Sequence, residues 1–295
     1  MNSRQRDQLA TLVFYSIAAG ITALLFGLIG YMLYQGFPKL TLDFLTSPSS
    51  SFKAGGGIGS QLFNSFYILV LTMLFTIPLG LGGGIYMAEY ARDNKLTSTI
   101  RTCIEVLASL PSIVIGMFGL LVFVNLTGWG YTMIGGALAL TVFNLPVMVR
   151  VCEDALRSVP REQKEASLAL GLTHWHSIKT VLLPAAFPGI LTGAILASGR
   201  VFGEAASLLF TAGITTPTLD FGNWNPFDSV SPLNIFRPAE TLAVHIWSVN
   251  TQGLIPDVRA VADGSAAVLI LAVLVFNLLA RWIGSLLHKK ITAQA

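Results

Sequence analysis

Two opposite charges stand four residues apart inside an apolar run, Arg200 and Glu204 in ILASGRVFGEAASLLF. A charge at the centre of a membrane helix costs about 3 kcal/mol on insertion scales, so such residues face a pathway or a partner. In a continuous helix this spacing sets both side chains on one face, where the carboxylate neutralises the guanidinium. An arriving oxyanion would compete for Arg200, whose planar fork of donors matches phosphate or carboxylate oxygens. A purely structural ion pair between neighbouring helices is the other reading. Physics alone fits an anion and does not choose among phosphate, sulfate, molybdate and a carboxylate.

The second constellation is a charged stretch between Arg157 and Pro184, EQKEASLALGLTHWHSIKTVLLP. Residues 161–170 are helix formers throughout, and Gly171 stands where a helix must end in a left-handed turn. Thr173 is the expected N-cap of a second short helix that runs on to a break at Pro184. The spacing thus predicts a helix, turn, helix unit in water, in which the small Ala166 and Ser167 let a partner approach closely. The alternative is an amphipathic helix lying on the bilayer, although Arg161 and Lys164 are offset by Glu162 and Glu165. His174 and His176 have no further ligand near them in sequence, so no metal site is expected. No GxxxxGK[ST] phosphate loop occurs, so ATP hydrolysis is not expected of this chain. Cys103 and Cys152 border a membrane segment and give no support to a disulfide framework.

The elements that must position these residues follow from composition. With 53% hydrophobic and 11% charged residues, the chain lies outside the soluble class. Six windows, near residues 9–34, 62–87, 103–126, 132–149, 185–212 and 265–287, reach the roughly 20 residues needed to cross a hydrocarbon core. Each is expected to be helical, because lipid offers backbone groups no partner. The first follows Arg4 and Arg6 but is long and lacks a small-x-small cleavage site, so it reads as a permanent anchor. Lys and Arg gather in the N-terminal tail, around residues 92–101 and 150–179, and at 281–290, against Lys39, Lys53, Arg237 and Arg259 on the other side. The positive-inside rule then places both termini and the charged stretch in the cytoplasm. No basic run suggests nucleic acid binding.

Residues 35–61, rich in Ser, Pro and Gly, read as an external loop. Residues 213–264 form the longest external connection, with Trp224, Phe227, Phe236 and Trp247 as interfacial anchors or, alternatively, part of a docking surface. Pro78 with Gly80, Gly82, Gly83 and Gly84 permits close helix contact and a kink.

From Glu165 the chain reads Glu-Ala-Ser, then Gly171, Val181 and Leu183-Pro184. This resembles the cytoplasmic loop of ABC importer permeases, whose signature is EAA, G and I-x-L-P at the same offsets; Ser167 and Val181 are the departures. From Gly55 onward the segments PLGLGGGIYMAEYA, LPSIVIGMFG, LPVMVRVCEDALRSVP and GEAASLLFTAG look like the PstA-type subunit of the bacterial phosphate-specific ABC importer. The resemblance implies an all-α, polytopic permease of type I fold with six transmembrane helices in a bacterial plasma membrane. It divides the chain into a tail, first helix and external loop (1–61) and a permease domain (62–290), with a coupling loop at about 157–184. It assigns Glu165, Ala166, Ser167, Gly171, Leu183 and Pro184 to the motif that couples to the ATPase, and Arg200 and Glu204 to the R-x-x-G-E motif of phosphate passage. After Glu204 this chain has Ala205-Ala206-Ser207 where relatives often carry a T-A-P-like run, which bears on local helix shape. Expected partners are a second, PstC-like permease subunit, two copies of a PstB-like ATP-binding subunit and a PstS-like external phosphate-binding protein. No cofactor is expected in this chain, ATP and magnesium being held by the ATPase.

Overall fold

The computed structural model describes residues 3–50, 54–253 and 255–293, and among them every regular element is helical. In chain order these are α1 (Ser3–Gly36), α2 (Leu42–Thr46), α3 (Gly59–Ile85), α4 (Lys95–Ser109), α5 (Ser112–Gly119), α6 (Met133–Arg157), α7 (Arg161–Ala169), α8 (His174–Ser177), α9 (Leu183–Gly203), α10 (Ala206–Leu209), α11 (Leu242–Gln252) and α12 (Val258–Ala293). Five helical runs are individually long and apolar enough to span a membrane.

The sixth expected span, residues 103–126, is not one helix. α4 and the run from Ser112 to Leu126 meet at 98°. Leu110 is extended (ψ 138°) because the ring of Pro111 disfavours helical backbone in the residue before it. The window 185–212 likewise stops early, at Gly203. Pro184, by contrast, makes no break: the helix runs from His174 to Gly203. A π-helical turn at Ile178–Leu182 widens the backbone just ahead of the proline, where its ring would otherwise meet the preceding carbonyls.

α3 and α6 form the centre of the bundle. Their contact rests on glycine: a Cβ on Gly80 or Gly84 would collide with Met148 or Cys152, so only bare backbone lets the two axes approach this closely. α6 is the most enclosed span, with 67% of its apolar window buried, whereas α1 has 0% buried and packs mainly along α12.

The connection after α10 folds over the end of the bundle distal to α7. There Met133 N–H donates to Arg237 O (2.9 Å), Ile134 N–H to Ile235 O (2.9 Å) and Thr132 N–H to Thr211 O (3.1 Å). These bonds satisfy amides at the start of α6 that have no partner within the helix. The connection also contains α11, and α12 begins at Val258 rather than near residue 265, so this connection is shorter than the sequence implied. Trp224, Phe227, Phe236 and Trp247 all lie exposed on it.

Candidate functional site

Arg200 occupies the last turn of α9, not its middle. The carbonyls of a helix C-terminus favour a cation there. Its guanidinium carbon lies 3.8 Å from the centre of the Phe143 ring on α6, a cation–π contact worth about 0.5–1 kcal/mol at an exposed site. The expected pairing with Glu204 does not form. Glu204 has left the helix (φ −79°, ψ 124°), so the two residues no longer share a helical face. Its Oε1 instead accepts the N–H of Ser207 at 3.1 Å, holding the first turn of α10. Among the described residues neither Arg200 nor Glu204 belongs to an ion pair.

The interruption at Gly203–Ala205 is held by packing. Gly116 of α5 lies so close to Ser207 that a Cβ there would come within 2.8 Å of its Cα. Irregular backbone at membrane depth is tolerated only where it is buried in protein or lines a water-filled cavity. Here the break packs against α5, and Arg200 lies one turn before it with no ion pair among the described residues.

The α7–α8 hairpin forms as its local signals require. Gly171 adopts φ +84°, Leu172 N–H reaches Ser167 O (3.3 Å) and Gly171 N–H reaches Leu168 O (3.0 Å), closing a Schellman turn. Thr173 caps α8 by accepting His176 N–H at 3.4 Å. Ser167 departs from expectation. It is buried, its hydroxyl donating to Lys164 O (2.7 Å) and paired with the Ser177 hydroxyl at 2.5 Å, so it joins α7 to α8 rather than leaving room for a partner. Leu183 and Pro184 are half-buried in the helix that continues from α8. What remains on the outside is Glu165, Ala166 and Gly171, with Leu170 83% and Trp175 56% exposed.

Sequence reasoning gave no role to Glu89, which anchors this hairpin. It lies in a π-helical turn at Tyr86–Tyr90, with its side chain buried. Lys164 Nζ reaches its Oε2 at 2.6 Å and His174 Nε2 at 3.5 Å, and His174 packs edge-on against Tyr90. Nearby, the buried Glu153 receives Arg101 (2.9 Å) and Arg157 (3.1 Å), tying α4 to α6. An acid close to basic residues was visible in YMAEYAR and in VRVCEDALR, but which base each would meet depends on folding. Beneath the hairpin, Ile178 and Leu182 pack with Ile85 and Leu156 in an apolar cluster that links it to α3 and α6.

The distal end has its own polar centre. Arg237, 3% exposed, donates to Asn64 Oδ1 (2.8 Å) and Pro232 O (3.0 Å), and burial pushes its guanidinium down to about 10, still a cation at neutral pH. Glu240 accepts from Gln61 Nε2 (2.8 Å) and pairs with His245 Nδ1 (3.1 Å). No cluster of three or more His, Cys, Asp or Glu residues suited to a metal occurs among the described residues.

Comparison with known proteins agrees with this architecture. Residues 80–293 match the family described as binding-protein-dependent transport system inner membrane component. The probable ABC transporter permease protein YqgI of Bacillus subtilis (strain 168) is 69% identical over 99% of this chain and 100% of its own. The phosphate transport system permease protein PstA of Xylella fastidiosa (strain 9a5c) is 37% identical over 72% of this chain and 69% of its own. Among solved structures, a bacterial alginate ABC transporter in complex with an alginate-bound periplasmic protein superposes with TM-score 0.69 at 14% identity, covering 97% of this chain and 96% of its own. The inward-facing MetNI methionine ABC transporter gives 0.57 at 17% identity, covering 79% and 95%. At those identities the likeness speaks for the fold alone. The chain belongs to the binding-protein-dependent transport system inner membrane component family, as a multi-pass ABC importer permease.

Proposed function

We infer that this permease forms half of the pathway that carries inorganic phosphate into the cytoplasm. The observation that carries the reading is Arg200: a guanidinium with no carboxylate partner among the described residues, beside a helix break, in a chain whose relatives include phosphate permeases. A planar cation resting on the face of Phe143 keeps its donors available to a tetrahedral oxyanion. Glu204 acts by shaping the break and sits apart from the cation, so a passing anion meets Arg200 without an adjacent competing carboxylate.

Both termini and the α7–α8 hairpin lie in the cytoplasm in this reading. Glu165, Ala166 and Gly171, with the exposed Leu170 and Trp175, meet an ATP-binding subunit, while Ser167, Leu183 and Pro184 hold the hairpin to the membrane helices. Two such subunits bind ATP and magnesium, a second permease subunit completes the pathway, and an external phosphate-binding protein delivers the substrate. Closure of the ATPases would pull on the hairpin and, through Ile178 and Leu182, on α3 and α6.

Arg200→Glu is expected to abolish phosphate uptake in reconstituted vesicles while the ATP-binding subunit still co-purifies. Uptake at the normal rate in that variant would remove Arg200 from the pathway. One guanidinium also suits other oxyanions, so competition by sulfate and molybdate in the same assay decides the substrate: phosphate uptake unaffected by either supports the phosphate reading.

A further inference from the structure

A cavity of about 550 Å³ lies between α1, α9 and α12, lined by neither Arg200 nor Phe143 nor the hairpin. Its walls are apolar apart from two α12 side chains, Asn277 and Arg281. Gly199 and Gly203, one turn apart on α9, open one side: a Cβ on Gly203 would meet nothing within 4 Å. Val273 and Asn277 form the facing wall and Ile29 of α1 a third. Arg281 is exposed and belongs to no ion pair among the described residues. One turn further along, Gly284 packs directly against Leu191, so α9 and α12 close together just beyond the arginine.

From Arg281 to Leu269 the lined face of α12 runs three turns, about 18 Å at 1.5 Å per residue. That is close to half of a hydrocarbon core of about 30 Å, the depth of one leaflet. Water is a poor occupant of an apolar space of this size, and an empty one forfeits packing contacts on every wall. Basic residues at the mouth of a groove between membrane helices attract anionic head groups.

We propose that this groove holds one acyl chain of an anionic phospholipid, with its phosphate at Arg281. The head group carries the specificity, because the surrounding lipid tails are as apolar as the groove and give its walls no preference among lipids. The site is independent of the transported substrate, so it stands or falls separately from the phosphate reading.

The test is lipid binding to the protein purified with its co-purifying subunits, delipidated and titrated with phosphatidylglycerol or phosphatidylcholine, counted by native mass spectrometry. The intact protein should hold one phosphatidylglycerol in preference to phosphatidylcholine. Arg281→Gln should weaken phosphatidylglycerol about fivefold, as expected of ~1 kcal/mol per basic residue, and leave phosphatidylcholine unchanged. Gly203→Leu, which fills the groove, should reduce both, and it decides the matter alone if Arg281→Gln does not assemble. Undiminished phosphatidylglycerol binding in the variants overturns the proposal. So does a crosslink from a cysteine at position 203 to a helix of another subunit, which would show the groove filled by protein.

Discussion

The two ends of the bundle are built on opposite plans. At the distal end Arg237, Glu240, His245, Gln61 and Asn64 are all nearly buried, and their bonds run to one another and to the overlying loop. At the α7 end the buried acids Glu89 and Glu153 are met by Lys164 and Arg101, which stay partly open to solvent, and Leu170 and Trp175 are exposed. The buried polar centre of one end is completed within a single polypeptide, although Trp224 and Phe227 stay exposed on the loop above it. The other presents apolar side chains on a charged hairpin, the pattern of a surface that a second protein covers.

Breaking a residue at each end should separate the two plans most clearly. Arg237→Met removes the donors to Asn64 and Pro232 and leaves buried acceptors unpaired, at an expected cost of about 3 kcal/mol in detergent unfolding. Trp175→Ala should change stability by less than about 0.5 kcal/mol yet release the ATP-binding subunit in co-purification. A stability loss from Trp175→Ala as large as that from Arg237→Met would erase the distinction.

Within the α7 end, effects should fall with distance from the buried anchor. Glu89→Gln removes the charge that pairs with Lys164 and should cost about 1.5 kcal/mol, read as earlier proteolytic cleavage of the hairpin. Ser177→Ala leaves Ser167 its bond to Lys164 O and should cost about 0.5–1 kcal/mol. Equal losses from the two would mean that the hairpin is not hung from Glu89.

The smallest effect concerns the distal rim. Lys39 donates to Asp257 at 2.8 Å and holds its carboxyl below the usual range, helped by Gly55 N–H. A depressed carboxyl contributes stability that is present above its unfolded value of about 3.9 and is lost as pH falls through the folded value. Asp257→Asn should therefore flatten a slight acid-side decline in melting temperature and leave neutral pH almost unchanged.

Local chemistry was legible in the sequence wherever one residue decides the backbone. Gly171 and Thr173 turned and capped the hairpin as their types require. The bend of 98° at Pro111 was not legible, because a proline forbids helix in the preceding residue without fixing the direction of the next one. Pro184 illustrates the reverse: a breaker by type, it is absorbed by a π turn that no propensity announces. The end of α9 at Gly203 depends on Gly116 receiving Ser207 from another helix, so the four-residue spacing of Arg200 and Glu204 misled. Likewise Glu240 and Gln61 meet across 179 residues, a distance over which no local pattern speaks.

The most direct test places a photo-crosslinking amino acid at Leu170 in intact membranes and identifies what it captures with and without ATP. The expected product joins this chain to an ATP-binding subunit, with a yield that changes with nucleotide. Capture of lipid alone, or of this chain by itself, would contradict the assignment of the α7–α8 hairpin as the point where ATP drives the permease.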